Sequence, residues 1–215
     1  MQAVNGGFMA FVVKNMVLGP IMTNCYIAYD EDIKEAVIID PADSADMIQR
    51  KITELSVKPA AILLTHGHFD HIGAVDKIRE LYGIKVYAHE DEKDVLTSDA
   101  NVSSMMGMRL SVEADEYVRD KETLNVGGVK YEVIHTPGHT KGGCCYYVAD
   151  AKVLFSGDTM FCQSYGRTDF PTGSYSQLMR SITDKLLKLD DDVTVYPGHN
   201  EETKIGYERS MYDTY

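Results

Sequence analysis

The chain has 215 residues, a formal charge of −12 and 44% hydrophobic residues. That length supplies one substantial core or two small ones, and the ordinary apolar fraction marks a globular protein. The longest apolar runs are strand-sized, so no membrane span is expected, and the acidic balance disfavours nucleic acid, which rewards clustered Lys and Arg.

Met1–Asn5 lacks the basic region and long apolar stretch of a signal peptide. The cysteines, Cys25, Cys144, Cys145 and Cys162, show no zinc-ribbon spacing and read as reduced, mostly packed thiols. The expectation is a cytoplasmic protein without membrane or nucleic-acid partners. No linker or low-complexity segment interrupts the chain, so residues 1–215 are expected to form one domain.

In chain order, Phe8–Val13 and Asn24–Tyr29 read as strands, separated by the break at Gly19-Pro20. Ala36–Ile39 is a short apolar strand that ends at Asp40-Pro41. Met47, Ile48, Ile52 and Leu55 make one stripe of a helix over Ala45–Leu55. Ala60–Leu64 is an apolar run of strand length that delivers the chain into Thr65-His66-Gly67-His68-Phe69-Asp70-His71. Ile72, Val75, Ile78, Arg79 and Tyr82 then recur at helical spacing until Gly83.

Val86–Ala88 is a strand leading to His89, and the acidic residues that follow suit a first helical turn, so His89 reads as a capping or surface residue. Ser98–Leu110 is polar and methionine-rich; Met105, Met106 and Met108 suit either a segment covering a site or core filling. Leu124–Gly128 reads as a turn and Val129–Ile134 as an alternating strand. Cys144–Val148 and Val153–Phe155 make a hairpin, with the adjacent cysteines facing opposite sides. Ser174 with Gln177 forms the capping box of a helix to Leu189, whose stripe is Leu178, Ile182, Leu186 and Leu189. Val193–Tyr196 is the last strand, and a terminal helix is expected from Glu201.

Three of the chain's seven histidines and an aspartate fall between His66 and His71. In an extended loop, residues i, i+2 and i+4 share a direction, so His66, His68 and Asp70 are expected to converge and His71 to point elsewhere. Imidazole and carboxylate both ligate zinc, and imidazole also suits iron. Further strands end near His139, Asp158 and His199, giving five histidines and two aspartates. Two metals with open positions need about that many ligands if one carboxylate bridges, and Asp158 is the natural bridge.

Metals held in that way share a hydroxide with its pKa lowered toward neutrality, so the expected chemistry is hydrolysis of an activated acyl or phosphoryl compound. The expected cofactors are two divalent metal ions, zinc, with iron or manganese as alternatives. Asp70 is counted both as a ligand and as the catalytic candidate. His135 reads either as a hydrogen-bonded support for a ligand or as a strand-end histidine.

The set Thr65-His66-x-His68-x-Asp70-His71 with His139, Asp158 and His199 resembles the metallo-β-lactamase fold superfamily. The stretches His135–Thr140, Phe155–Thr159, Gly166–Phe170 and Tyr196–His199 resemble its glyoxalase II-like branch, and the resemblance covers nearly the whole chain. It implies an α/β fold, a four-layer αββα sandwich with metals at one edge of two packed sheets. It also implies His66, His68 and His139 on one metal, Asp70, His71 and His199 on the other, and Asp158 bridging. This differs from the pointing argument at Asp70.

The implied substrate is an acyl-thioester such as hydroxyacylglutathione, with Arg167 against the glutathione part; a surface salt bridge is the other reading of Arg167. The main zinc class of β-lactamases usually carries other residues at the His71 and Asp158 positions, so the resemblance speaks against antibiotic hydrolysis. Full-length glyoxalase II carries a C-terminal helical extension that helps hold glutathione. This chain ends at Tyr215 and resembles the compact bacterial forms. Two alternatives share the ligand set: a persulfide dioxygenase with a single iron, and a metal-dependent phosphodiesterase, which the negative charge disfavours.

Overall fold

A computed structural model describes residues 10–212. The first sheet takes its six strands in chain order: β1 (Phe11–Leu18), β2 (Thr23–Asp30), β3 (Glu35–Ile39), β4 (Lys58–Leu63), β5 (Lys85–His89) and β6 (Glu116–Val118). β1 to β3 pair antiparallel and β3 to β6 parallel. The second sheet contains β7 (Thr123–Val126), β8 (Val129–His135), β9 (Cys144–Val148) and β10 (Val153–Gly157). A small hairpin, β11 (Met160–Phe161) with β12 (Ser164–Tyr165), precedes its last two strands, β13 (Thr194–Pro197) and β14 (Thr203–Lys204). The order across this sheet is β14-β13-β10-β9-β8-β7.

Among the described residues six helices accompany the strands: α1 (Ala45–Leu55), α2 (Phe69–Ile72), α3 (Val75–Tyr82), α4 (Lys93–Thr97), α5 (Tyr175–Arg180) and α6 (Ile205–Tyr212). The layering follows from strand alternation. All eight residues of β2 are buried. Cys25, Ile27 and Tyr29 face a core shared with Ile48 and Ile52 of α1 and Val75 and Ile78 of α3. Tyr26 and Ala28 face a second core, against Tyr131, Tyr146 and Phe155 of the other sheet. The same division splits the adjacent cysteines: Cys144 lies between the sheets, and Cys145 lies in a third core with Leu178, Ile182 and Ile205. Three cores make four layers, helix–sheet–sheet–helix.

The sheets are stitched together at one edge. The Tyr26 hydroxyl donates to the Pro197 carbonyl at 2.6 Å, and the Asn24 amide side chain donates to the same oxygen at 2.9 Å. From the other sheet, the Tyr146 hydroxyl donates to Leu64 O at 3.0 Å and Cys144 N to Thr65 O at 2.9 Å. Those buried donors and acceptors pair across the layers, which fixes the strand ends relative to one another.

Several expectations are corrected. Phe8 and Met9 lie outside the described residues, and β1 runs five residues beyond Val13. Met47 is exposed, so the buried stripe of α1 is Ala45, Ile48 and Ile52. Leu124 belongs to a strand, and the turn is confined to Gly127-Gly128, both at positive φ. The Ser174 side chain makes no cap bond, and α5 ends at Arg180, passing through a π turn (Ser181–Lys185) into a 3-10 turn (Leu186–Lys188). Leu178, Ile182 and Leu186 still face the third core, because packing rather than regular helix bonding holds the segment. The terminal helix begins at Ile205, after the edge strand β14.

Ile38 is fully buried in β3, between two paired strands and against the α1 layer. Ile38→Ala is expected to lower stability by about 2–5 kcal/mol through cavity formation. The check is a lower denaturant midpoint at unchanged m-value.

Candidate metal centre

Strand ends deliver the candidate residues to the stitched edge. β4 leads into Thr65–His68, where His68 keeps an extended backbone at φ −66°, ψ 148°. α2 then starts at Phe69 and ends the alternation. For that reason Asp70 does not join His66 and His68, as two-residue spacing predicts. Instead His66, His68 and His139 bring nitrogens within 4.8 Å of one another, and Asp70, His71 and His199 form a second such group. Asp158, just past β10, reaches both. One carboxylate oxygen is 3.4 Å from His139 Nε2 and 3.6 Å from His199 Nε2; the other is 3.4 Å from His71 Nε2. The structure therefore brings all seven residues together.

Hydrogen bonds fix how three of the histidines face inward. His71 Nδ1 lies 2.9 Å from Asp40 Oδ2, and His139 Nδ1 lies 2.7 Å from the Arg167 carbonyl oxygen. Thr65 Oγ1 donates to Asp40 Oδ2 at 2.5 Å, so its lone pair accepts from His66 Nδ1 at 3.2 Å. For His66 and His139 this puts the ring proton on Nδ1 and leaves Nε2 with the lone pair, His139 Nε2 lying 2.9 Å from His68 Nδ1; for His71 it turns Nε2 toward Asp70 and Asp158, 3.7 and 3.4 Å away. His66 Nε2, His68 Nε2, His71 Nε2 and Asp158 Oδ1 are buried with no hydrogen-bond partner. Buried polar atoms left in this way are costly without a ligand, and imidazole nitrogens gathered with carboxylates are the donor set of a divalent cation. The residues fit metal ions.

The charges agree. Burial, then the neighbouring His71, pushes His66 far below its ordinary pKa, and burial with His139 lowers His68 to about 3. Burial alone would raise Asp70 and Asp158, but the surrounding histidines outweigh it, holding Asp70 at about 2 and Asp158 well below the carboxylate range. His71 runs the other way: burial opposes its charge, but Asp70, Asp158 and Asp40 outweigh burial and raise it.

Two supporting residues escape the sequence reading. Asp40 was visible there only as a strand end. It accepts from Thr65 N at 2.8 Å as well as from Thr65 Oγ1 and His71, and so binds the ligand loop from below. Its signal was available, since it follows the same strand-then-carboxylate pattern as Asp158. Glu92 was read as an acidic first-turn residue, yet it is 1% exposed. One oxygen accepts from Gly67 N at 2.8 Å; the other accepts from Thr140 Oγ1 at 3.0 Å and Gly142 N at 2.8 Å. Glu92 therefore clamps the loop of His66 and His68 to the loop of His139. Burial pushes its pKa up to about 7 against the pull of those donors.

Other candidates fall elsewhere. His135 has no hydrogen bond to a metal-ligand candidate among the described residues. Its Nε2 lies 3.0 Å from Lys141 O, and its ring stacks on His89 at 3.9 Å, which makes it a strand-end histidine. His89 caps the following turn, Nδ1 accepting from Asp91 N at 3.3 Å. Arg167 makes the surface salt bridge and also reaches the cavity. It pairs with Asp169 through two 2.7 Å bonds, lies 3.8 Å over the Phe170 ring, and lines the cavity with His68 and Asp158. Met105, Met106 and Met108 are exposed, which rules out core filling; Met105 and Met106 wall the same cavity.

The chain belongs to the metallo-β-lactamase superfamily: the family model matches residues 18–199. Two curated relatives are informative. "Probable metallo-hydrolase YqgX" of Bacillus subtilis is 40% identical, over 89% of this chain and 92% of that one. "Hydroxyacylglutathione hydrolase GloC" of Haemophilus influenzae is 36% identical, over 86% and 89%. Among solved structures, BLEG-1 B3 metallo-β-lactamase is 42% identical with a TM-score of 0.88, covering 93% of this chain and 97% of that one. TTHA1623 in a di-iron-bound form is 30% identical with a TM-score of 0.83, covering 93% and 98%. The family and the His/Asp clusters together make this a metallo-hydrolase scaffold.

Glu92→Ala is expected to cost about 2–4 kcal/mol, because it orphans buried donors. It is also expected to weaken metal retention, as read by unfolding midpoint and metal analysis after dialysis. His89 supplies a pH test. Burial, then the His135 ring, lowers it to about 4, below the ordinary imidazole value of about 6.5. The unfolded chain then takes up this proton first, so stability is full above pH ~6.5 and falls as the pH drops toward ~4. His89→Gln is expected to flatten that part of the stability–pH curve.

Proposed function

We propose that the chain is a glyoxalase II-like hydrolase of acyl-thioesters, with glutathione-derived thioesters as the substrate class and two zinc ions as cofactors. The observation that carries this reading is the set of four buried polar atoms without a hydrogen-bond partner on His66, His68, His71 and Asp158. In this reading His66, His68 and His139 hold one ion, Asp70, His71 and His199 hold the other, and Asp158 spans them. Seven such residues exceed what a closed four-coordinate structural site needs. Ions bound there supply Lewis acidity, which polarises a carbonyl and makes water a nucleophile at neutral pH.

The chain's own residues do the rest. Asp40, Thr65 and the Arg167 carbonyl orient the rings, and Glu92 locks the two ligand loops in register. Asp70, the catalytic candidate, is steadied by Thr23 Oγ1 at 2.9 Å and forms part of the cavity wall. Arg167 and Phe170 offer a cation and an apolar face to the thiol part of a substrate. The 36% identity to GloC supports the substrate class, and free cysteines, three of them buried, suit a reducing compartment. The likeness to BLEG-1 makes β-lactam hydrolysis the second reading, since a lactam is also an activated acyl compound, although His71 and Asp158 speak for the glyoxalase II-like branch.

Protein carrying about two zinc ions per chain is expected to hydrolyse lactoyl-glutathione with a kcat/KM above about 10⁴ M⁻¹s⁻¹. Chelation is expected to abolish turnover, and His68→Ala to lose metal and turnover together. Inertness toward the thioester with cleavage of a chromogenic cephalosporin would replace this reading by the second. A single iron, with oxygen consumed on glutathione persulfide, would replace it by a dioxygenase.

A further inference from the structure

A second cavity opens beyond Asp70, away from Arg167. Its volume is about 290 Å³, against about 310 Å³ for the cavity over the metal centre. Ile21, Phe69, Asp70 and Met106 wall both, so the two cavities adjoin along that shared wall, and the candidate centre lines the one with Arg167. The two arms differ in chemistry. The near arm has the Arg167 guanidinium on Phe170. The far arm is lined by Leu18, Met108 and Leu110, and its two further charged residues, Arg109 and Asp43, are of opposite sign.

The apolar lining continues onto the surface. Met106, Met108 and Ile21 are 49%, 45% and 42% exposed around the mouth. Large apolar side chains left together in water beside a site mark a surface meant to be covered, and methionines re-pack around chains of different shape.

We propose that the far arm is the acyl subsite and that the preferred substrate carries an apolar acyl chain longer than lactoyl. The proposal rests on the thioester reading above. The charged thiol carrier takes the Arg167 arm, which leaves the methionine-lined arm to the acyl chain. In the reaction water's oxygen forms a bond to the acyl carbon, the carbon–sulfur bond breaks and the thiolate leaves with its electron pair; one of water's protons goes to the thiolate and the other to solvent. The products are a fatty carboxylate and a free thiol.

The test is the zinc-loaded enzyme on acetyl-, butyryl-, hexanoyl- and octanoyl-glutathione. The expected result is a kcat/KM that rises with chain length by up to about fourfold per methylene, the ratio given by about 0.8 kcal/mol per buried CH₂. Met108→Gln and Ile21→Gln are expected to flatten the series. Binding supplies a readout free of catalysis: S-octylglutathione is expected to bind the wild type more tightly than S-methylglutathione, with the difference reduced in Met108→Gln. A flat or falling series with equal binding of the two thioethers would overturn the subsite. Inertness toward every thioester would overturn the thioester reading instead, and the thioether comparison would still decide the subsite.

Discussion

Both ligand clusters close on one buried carboxylate. Asp158 lies where the end of β10 meets the His66–His71 loop, and its two oxygens face His71 on one side and His139 and His199 on the other. Room for it depends on Gly198. A Cβ there would come within 2.1 Å of Asp158 Oδ1 and 2.8 Å of the His71 ring. The chain turns from β13 into His199 without a side chain at that point, and this lets strands of one sheet and a loop of the other share a single anionic centre.

Such a centre is expensive for a folded protein. Several ionisable groups are buried together, and their mutual attraction offsets desolvation only when geometry is tightly held. The surrounding structure supplies that hold. Asp40 is at the end of β3 in the first sheet, whereas Glu92 reaches from the α4 side to a loop on each side of the site. The inter-sheet bonds of Tyr26 and Tyr146 fall at the same edge. The fold therefore concentrates its cross-layer hydrogen bonding where the charge is, and leaves the rest of the sheet interface to apolar packing.

Much of this was legible in the sequence because the signals are local. Strand alternation separated Cys144 from Cys145, α1 was bounded correctly at Ala45–Leu55, and the clustering of ligand-type residues at strand ends pointed to one edge. What stayed hidden depends on distant partners. Glu92 looks like any first-turn acid until Gly67, Thr140 and Gly142 arrive from 25, 48 and 50 residues away. Asp70 was misdirected by an assumption of extended backbone that holds only to His68. Met47 was counted into a buried stripe because hydrophobicity shows that a face exists and leaves its edge undefined. The irregular path after α5 has no local marker, since Leu178, Ile182 and Leu186 keep helical spacing through a π turn.

The most direct test of the central claim, that two cations sit on either side of Asp158, is anomalous diffraction at the zinc edge from crystals of the zinc-loaded protein. Two peaks are expected, one among His66, His68 and His139 and one among Asp70, His71 and His199, with Asp158 between them. A single peak, or zinc bound away from Asp158, would contradict the account.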